Sequence, residues 1–470
     1  MVLRAIPGGR RVQLRQRVRR PMTQRALALG IATVLALLAT SCQWAQYMGD
    51  AALNGAVKGG SGFTTANIGS TTQTFTIPTG GPTDQVSSPV VADGKVFAVD
   101  YDGQLVAAND GTGTGCSGTP VVCQPLWESP AGLFGTDPES PPDVANGVVY
   151  VTTSDGGPGE LEAFDENGVT NCSGVPTVCQ PLWTASAVSL GGPNVVDGKV
   201  FVDTVNNGLE VFDASGVTNC SGSPKVCQPL WTGPSRGFSE PSVAAGRVYV
   251  VDFLYDVVAA YDENGVSNCS GTPSVCQPLF TVPLPHSTSP PKGSVDVSAG
   301  IGYVLAGATP GNVLVAFDAT GTQGCASAPV VCQPLWESSE LDPATISTPA
   351  VGNGTVYVTG TDAIAYAFDA NGQTDCSGTP VTCAPEVAFE APHNTSYQYV
   401  SPTVAGGVLF IGGDAYDATG SVGCSPGTIL VCTPLWSIPN GRVSSTAVSN
   451  GTAYVGGSDG MVHAYSVLSS

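Results

Sequence analysis

The chain of 470 residues is poor in charge and in histidine: Asp, Glu, Lys and Arg make up 11% of it, and it has three histidines. Eight of its 16 basic residues lie within residues 1–42, a segment without a single acidic residue. The rest of the chain therefore carries eight basic against 37 acidic residues, a formal charge of about −29. Such a field repels nucleic acid and anionic membrane surfaces, which excludes nucleic acid as a partner.

The N-terminal region also lacks a hydrophobic run of membrane-spanning length. Residues 26–39 (ALALGIATVLALLA) form an apolar run of 14 residues, which is too short for a bilayer and suits the core of a signal peptide. We predict a signal peptide over residues 1–42, with Met22 as an alternative start. The run ends at Ala39-Thr-Ser-Cys42. These residues resemble the lipobox of bacterial lipoproteins, with Ala39 in place of the usual leucine. We therefore expect lipidation of Cys42; plain secretion with cleavage near Ser41 is the alternative.

Cys42 is also the one cysteine without a local partner among the 15 in the chain. The other 14 form seven pairs with six intervening residues, or seven in the last pair. Even, local pairing predicts disulfides and an oxidising, extracytoplasmic compartment. Zinc is disfavoured, because its sites use closer cysteines and a second ligand pair nearby. The predicted disulfides are Cys116/Cys123, Cys172/Cys179, Cys220/Cys227, Cys269/Cys276, Cys325/Cys332, Cys376/Cys383 and Cys424/Cys432.

The cysteine pairs occur at regular intervals within a longer repeat. Residues 90–99 (VVADGKVFAV) read as a hairpin around an Asp-Gly turn, and a second Asp-Gly turn leads to a third strand. The cysteine loop follows, and Pro-Leu-Trp begins a fourth strand. We name these strands A, B, C and D. The glycine of the A–B turn occurs eight times, at Gly94, Gly147, Gly198, Gly246, Gly300, Gly354, Gly407 and Gly451.

Only seven D strands follow cysteine loops, and residues 73–77 (QTFTI) supply an eighth ahead of the first unit. Repeats of this length indicate a closed repeat fold. We predict an all-β, eight-bladed β-propeller over residues 71–470, with four-stranded antiparallel blades and the last blade closed by the N-terminal strand. Residues 43–70 are expected to form a linker. Each cysteine loop would then staple the C–D hairpin within its own blade, stabilising it by roughly 2–3 kcal/mol.

An aromatic residue opens most D strands. The position holds Trp127, Trp183, Trp231, Trp336 and Trp436, with Phe75, Phe280 and Val387 in the remaining blades. We expect an aromatic that recurs once per blade to pack between blades.

The repeat resembles the pyrroloquinoline-quinone-like (PQQ-like) β-propeller repeat family. Its signature of Ser-x-Pro, two flanking strands and an Asp-Gly turn is similar to residues 88–99 and to residues 347–372. The segment Trp44-Ala-Gln-Tyr47-Met-Gly49-Asp50, with Gly55, resembles the opening of many members. The resemblance implies one of two branches. Quinoprotein dehydrogenases hold the quinone and Ca²⁺ over the propeller axis, whereas the non-enzymatic branch, typified by the lipoprotein BamB, binds partner proteins.

The dehydrogenase hypothesis requires features that are scarce in this chain. The quinone carries three carboxylates and calls for several basic side chains. Beyond residue 42 the chain has three arginines and five scattered lysines, and it lacks the adjacent cysteine pair of those enzymes. We predict no catalytic, cofactor-binding or metal-binding residues. Turns such as Asp165-Glu-Asn-Gly168 could bind Ca²⁺, but each is too short to fill its coordination shell, and we interpret them as Asx turns.

Departures from the repeat offer candidate contacts for a partner. Blade 4 replaces its Asp-Gly turn with a tip that contains Phe253 and Tyr255, and a later loop contains His393, Tyr397 and Tyr399. Exposed aromatic residues can mark binding surfaces, and local packing is the alternative. We expect a monomeric, non-catalytic scaffold that binds an unidentified envelope protein. A quinoprotein dehydrogenase and a carbohydrate- or cell-wall-binding module are the alternatives.

Overall fold

The computed structural model describes residues 43–467, apart from 58–59, 81–84, 101–102, 112, 131–139, 153–159, 190, 205, 238, 286–292, 308–310, 342–346, 361–363, 391–399, 428 and 439–443. These residues form eight β-sheets and two 3₁₀ turns, Tyr47–Gly49 and Ile68–Ser70. No helix in this part of the chain has the length and apolarity that crossing a bilayer requires. The all-β, eight-bladed propeller is confirmed.

Every blade contains strands A to D in antiparallel order. The A strands are Val90–Ala92, Asp143–Ala145, Asn194–Val196, Ser242–Ala244, Asp296–Ser298, Ala350–Gly352, Thr403–Ala405 and Ala447–Ser449. The B strands are Lys95–Val99, Val148–Thr152, Lys199–Thr204, Arg247–Asp252, Ile301–Gly307, Thr355–Thr359, Val408–Ile411 and Thr452–Gly456. The C strands are Leu105–Asn109, Glu160–Asp165, Gly208–Asp213, Val257–Asp262, Asn312–Asp318, Ile364–Asp369, Asp414–Asp417 and Met461–Val467. The D strands are Trp127–Glu128, Trp183–Ser186, Trp231–Gly233, Phe280–Pro283, Trp336–Ser338, Val387–Glu390, Trp436–Ser437 and, for blade 8, Thr71–Pro78.

The A strands form the inner ring. Each contacts the A strands of the two neighbouring blades, and Ala447–Ser449 of blade 8 contacts Val90–Ala92 of blade 1. In blade 8, Thr71–Pro78 pairs antiparallel with Met461–Val467, with Thr71 opposite Val467 and Pro78 opposite Met461. Strands from opposite ends of the propeller sequence thus share one sheet.

The cysteine loops correct one prediction. All seven predicted pairs are disulfides, and in each the two cysteines face each other across a short hairpin. The hairpin strands are Cys116–Ser117 with Val121–Cys123, Cys172–Ser173 with Val178–Cys179, Cys220–Ser221 with Val226–Cys227, Cys269–Ser270 with Ser274–Cys276, Cys325–Ala326 with Val331–Cys332, Cys376–Ser377 with Thr382–Cys383, and Cys424–Ser425 with Leu430–Cys432.

Each hairpin pairs in parallel with strand D of the preceding blade, as Val178 does with Glu128. The prediction that each cysteine loop staples the C–D hairpin within its own blade is therefore wrong. Seven sheets have six strands, and only that of blade 7 has the predicted four. The physical reason is that strand D ends a sheet with unpaired backbone groups, and the next repeat covers that edge.

Buried side chains from adjacent blades fill the space between them in separate clusters. Trp127 of blade 1, for example, stacks on Phe164 of blade 2 with ring centroids 6.1 Å apart, and its Nε1 donates to Glu166 O at 3.0 Å. The D-strand aromatic packs between blades, as predicted.

Two kinds of polar contact secure the blade junctions beside these clusters. In five blades a B-strand tyrosine donates its hydroxyl to a carbonyl of the next blade. These bonds are Tyr150 to Ala214 (3.0 Å), Tyr249 to Ala319 (2.6 Å), Tyr303 to Ala370 (2.8 Å), Tyr357 to Ala418 (2.8 Å) and Tyr454 to Asp110 (3.5 Å).

Blades 1, 3 and 7 have phenylalanine at this position, Phe97, Phe201 and Phe410, and blades 1 and 3 use an ion pair instead. Lys95 Nζ lies 3.0 Å from Glu166 Oε1 of blade 2, and Lys199 Nζ lies 3.3 Å from Glu263 Oε1 of blade 4. The glutamates stand where the tyrosine-bonded blades carry alanine or aspartate. At these two junctions the ion pair thus takes the place of the hydroxyl bond.

Candidate functional site

The antiparallel order of the strands gives the ring two different ends. The A–B turns and the connections from strand C, which carry the cysteine hairpins, lie at one end, which we call the turn face. The B–C turns and the D–A connections lie at the other, which we call the loop face. Departures from the repeat concentrate at the loop face.

Residues 44–57 follow the inner ring in blade order. Backbone hydrogen bonds and two side-chain amides join this segment to the A strands of blades 1 to 7. The backbone contacts are Trp44 with Val91, Ala45 with Val144, Ala51 with Val243, Ala52 with Val297, Asn54 with Val351, and both Gly55 and Val57 with Val404. In blade 3, Gln46 Nε2 donates to Val195 O at 2.8 Å and Asn194 Nδ2 donates to Ala51 O at 3.0 Å. The segment that we expected to be part of a linker therefore lines the axis.

The family-like opening of this segment has a structural role at each position. Asp50 accepts from Ala52 N at 3.1 Å and from Asn54 Nδ2 at 2.7 Å, which holds the turn between the segment's two halves. Gly55 has a φ of +62°, and a Cβ there would collide with Met48 and Ala350. The motif thus specifies how the chain fits inside the ring.

A girdle of hydroxyl groups surrounds the axis at the loop face, at the Ser-x-Pro position of the repeat. The backbone N–H of one blade donates to the hydroxyl of the next. These bonds run from Ser294 to Thr348 (3.2 Å), Thr348 to Ser401 (2.9 Å), Ser401 to Ser445 (2.9 Å) and Ser445 to Ser88 (3.2 Å). In blades 2, 3 and 4 the position holds Pro141, Gly192 and Glu240, and the girdle is interrupted.

Two buried carboxyl groups occupy that interruption. Asp143 and Glu240 are 1% and 4% exposed. Asp143 Oδ2 accepts from Val195 N at 2.6 Å and from Gln46 Nε2 at 3.1 Å, whereas neither oxygen of Glu240 has a hydrogen-bond partner among the described residues. Glu240 Oε2 lies over Gly192, where a Cβ would be 3.0 Å away. The glycine leaves the space that the carboxyl group fills.

Burial disfavours the charged form of both acids. It raises the pKa of Asp143 to about 7, against the hydrogen bonds from Gln46 and Val195. Burial, together with the nearby Asp143 charge, raises the pKa of Glu240 well above its ordinary value. Asp203, at the end of strand B in blade 3, is fully buried, and desolvation raises its pKa to about 8, although Ser235 donates to it at 2.7 Å. The loop face therefore holds three buried acids whose pKa values are raised by desolvation.

Sequence reasoning missed this cluster, although its signal was present. Glu240-Pro241 replaces the Ser-Pro of the repeat, and Gly192-Pro193 replaces it in the blade before. Neither departure was chosen as a candidate, because burial cannot be read from a substitution in a loop.

These residues do not suit a quinone with three carboxylates. Such a group requires cationic side chains, yet burial and a neighbouring acid both act on Glu240, and no basic group offsets them among the described residues. Arg236, in the same D–A connection, is exposed. Acids at this position offer the carboxylates of the cofactor no cationic partner.

The described residues contain no group of three or more His, Cys, Asp and Glu side chains arranged to hold a metal ion. The aspartates of the C-strand turns are also engaged. Asp165 Oδ1 accepts from Asn167 N at 3.0 Å, and its Oδ2 accepts from Val169 N at 3.2 Å and Thr170 N at 2.6 Å. Partial burial would raise the pKa of Asp165, but the bonds from Thr170 and Asn167 lower it. N–H donors aimed at both oxygens favour the Asx turn over calcium.

The tip of blade 4 is an exposed apolar feature of the loop face. Leu254 and Tyr255 are 51% and 73% exposed, and Phe253 is half-buried. Asp252 Oδ1 accepts from Leu254 N at 2.9 Å and Tyr255 N at 3.2 Å, and Phe253 N donates to Arg236 O at 2.9 Å. The backbone is therefore fixed while the side chains face solvent. The other candidate residues, His393, Tyr397, Tyr399 and Cys42, lie outside the described residues and stay predictions.

Comparison with known proteins finds structures with a similar fold. No family model matches the sequence. A search of curated proteins finds no match either. The chain is similar in structure to BamB from Moraxella catarrhalis, with a TM-score of 0.51 and 16% identity over 84% of this chain and 99% of that one.

It is also similar to the quinohemoprotein alcohol dehydrogenase from Comamonas testosteroni, with a TM-score of 0.58 and 13% identity over 93% of this chain and 82% of that one. A computationally designed protein, Ika8, matches with a TM-score of 0.55 and 12% identity over 83% of this chain and 99% of that one. At these identities the likeness concerns the fold alone: the chain shares the β-propeller architecture of these proteins.

Proposed function

We propose that this chain is an exported, non-catalytic β-propeller scaffold that binds a partner protein of the cell envelope through its loop face. Cys42 would carry the lipid anchor, and Thr71–Pro78 would close the ring by completing blade 8. The seven disulfides support an oxidising location. BamB, a structural neighbour, supports the non-catalytic branch as an analogy of fold only.

The observation that carries the proposal is the blade 4 tip. An exposed leucine and tyrosine on a backbone held by four hydrogen bonds lose little conformational entropy when a partner covers them. Two bonds come from Leu254 and Tyr255 to Asp252, one from Phe253 to Arg236 O, and one from Leu284 N to Asp256 O at 2.7 Å. Tyrosine is also among the residues that dominate protein interfaces.

The test is affinity capture from detergent-solubilised envelope extract, with the Leu254→Ser/Tyr255→Ser variant against wild type. We expect the variant to recover at least about tenfold less of a specific partner, in line with the loss of a hot spot. The matched control is Val217→Ser/Val266→Ser, since these valines are 72% and 73% exposed at the turn face. Equal recovery by wild type and the tip variant would contradict the proposal.

Two further measurements separate the rivals. Binding to glycans on an array, without any protein partner in the capture experiment, would favour a carbohydrate-binding module. Dye reduction with alcohols or sugars after incubation with the quinone and Ca²⁺ would show a dehydrogenase, and we expect none.

A further inference from the structure

The outer edge of blade 7 differs from that of every other blade. Seven sheets end in a cysteine hairpin, whereas the sheet of blade 7 ends at its own strand D, Trp436–Ser437. Within the described part of the chain, no strand pairs with that edge. An unpaired strand edge is a template for the addition of another strand.

The other blades show which backbone group the edge presents. In blades 1, 2, 4 and 5 the residue after the D-strand aromatic donates its N–H outward to a hairpin carbonyl. These bonds are Glu128 to Thr177, Thr184 to Lys225, Thr281 to Val330 and Glu337 to Val381, each 3.0 Å. The equivalent residue in blade 7 is Ser437. Its neighbours Leu435 and Ile438 donate inward, to Ala415 O and Gly413 O at 2.8 Å. The repeat therefore directs the Ser437 N–H away from the sheet.

The hairpins also cover apolar surface. The second cysteine of each hairpin is buried, as Cys179 is in the cluster that contains Trp127. The D-strand tryptophans of blades 1, 2, 3 and 5 are at most 3% exposed. Trp436, which no hairpin covers, is half-buried. The missing hairpin thus leaves both a donor and part of an aromatic ring accessible.

We propose that this edge binds an extended segment of a partner protein, which adds to blade 7 as a parallel strand. The segment places a carbonyl opposite the Ser437 N–H and a small apolar side chain against Trp436. The chemistry of the occupant follows from the molecule itself, since seven hairpins fill the equivalent place with a short strand ending in cysteine, and in six of them valine comes before the cysteine at the position paired with strand D. This surface lies on the rim of the ring, so it is distinct from the loop face and independent of the function proposed there.

The test uses a defined probe, a disulfide-closed peptide with the sequence of residues 171–180 (NCSGVPTVCQ), added to the intact mature protein. We expect one peptide to bind per ring, measured by titration calorimetry. Binding should slow hydrogen exchange of the Ser437 amide while the exchange of the Thr184 and Thr281 amides, already covered, is unchanged. A linear peptide with both cysteines replaced by serine should bind at least about tenfold more weakly, because its strand is not preorganised.

Ser437→Pro removes the donor and should weaken binding at least about tenfold, whereas Ser437→Ala keeps it and should bind like wild type. Hydrogen exchange of the wild-type protein requires no variant, so it still tests the proposal if the proline variant fails to fold. The proposal is overturned if peptide at about 1 mM gives no heat and no protection of Ser437, or if the folded proline variant binds equally. Dimerisation that occurs without peptide and depends on Ser437 would show that a second copy of this chain occupies the edge. This result would also overturn the proposal.

Discussion

Two buried ion pairs lie at the turn face, whereas buried acids at the loop face have no cationic partner among the described residues. At the turn face, Lys95 and Glu166 meet at 3.0 Å with only 15% and 2% of their side chains exposed. At the loop face, Glu240 is buried with neither oxygen bonded among the described residues, and Asp203 has one oxygen without a partner. The turn face satisfies its buried polar groups with hydroxyl bonds or ion pairs, whereas the loop face gives up stability at particular positions. Sites that sacrifice stability in this way are candidates for function.

The largest expected effect tests how strongly the buried ion pair at the turn face stabilises the folded protein. In Lys95→Met the Glu166 carboxylate stays buried without its cation, and removing one partner of a buried pair costs about 3 kcal/mol. We expect urea unfolding to show that loss at neutral pH. Lys225→Met is the matched control, because the structure records no ion pair for this half-buried lysine among the described residues.

The junction between blades 2 and 3 suggests how to repair that variant. There, Tyr150 and the Ala214 carbonyl take the place of the ion pair. Lys95→Met combined with Phe97→Tyr and Glu166→Ala should therefore return to within about 1 kcal/mol of wild type, the worth of one hydrogen bond. A triple variant no more stable than Lys95→Met would show that the two junctions are not interchangeable.

The second prediction concerns the hairpins that belong to the turn face. Replacing Cys220 and Cys227 by serine opens one loop and should lower the free energy of unfolding by roughly 2–3 kcal/mol. Because this hairpin pairs with Thr184 in blade 2, hydrogen exchange of the Thr184 amide should also accelerate. The Leu254→Ser/Tyr255→Ser variant provides the comparison, since exposed loop-face changes should alter stability by no more than about 0.5 kcal/mol. Exchange that accelerates only within blade 3 would contradict the pairing between blades.

Much of this architecture could be predicted from the sequence, because periodicity is visible there. Eight A–B glycines and seven cysteine pairs count the blades, and the residues around Trp127 recur closely enough to identify strand D. The spacing of Cys116 and Cys123 predicts a closed hairpin, but it does not show which D strand the hairpin joins, since either neighbouring edge has the same unpaired groups.

The buried acids escaped prediction for a different reason. The sequence shows that Glu240 replaces a serine, but an acidic residue before a proline in a loop is ordinarily exposed. Its carboxyl group lies over Gly192 in the preceding blade, and Gln46 of the segment along the axis bonds the other acid, Asp143. Only the folded ring brings these three parts together.

The pH dependence of stability tests the loop-face half of the comparison, and its effect per pH unit is the smallest of the three. Burial raises the pKa of Asp203 from 3.8 to about 8, so the folded protein holds a proton that the unfolded chain releases between those values. Stability must then fall as pH rises, by about 1.4 kcal/mol per pH unit from this group. Asp203→Asn keeps an oxygen for Ser235 but does not titrate, and its stability should fall less between pH 5.5 and 7.5.

Asp197→Asn is the matched control, because Asp197 is exposed in the A–B turn of the same blade at the turn face. Urea unfolding at the two pH values should give this variant the slope of wild type, while Asp203→Asn gains stability relative to wild type at the higher pH. If Asp203→Asn keeps the wild-type slope, Asp203 is already ionised in the folded ring. Unpaired acids would then not distinguish the loop face from the turn face, and the exposed tip of blade 4 would be left as its distinguishing feature.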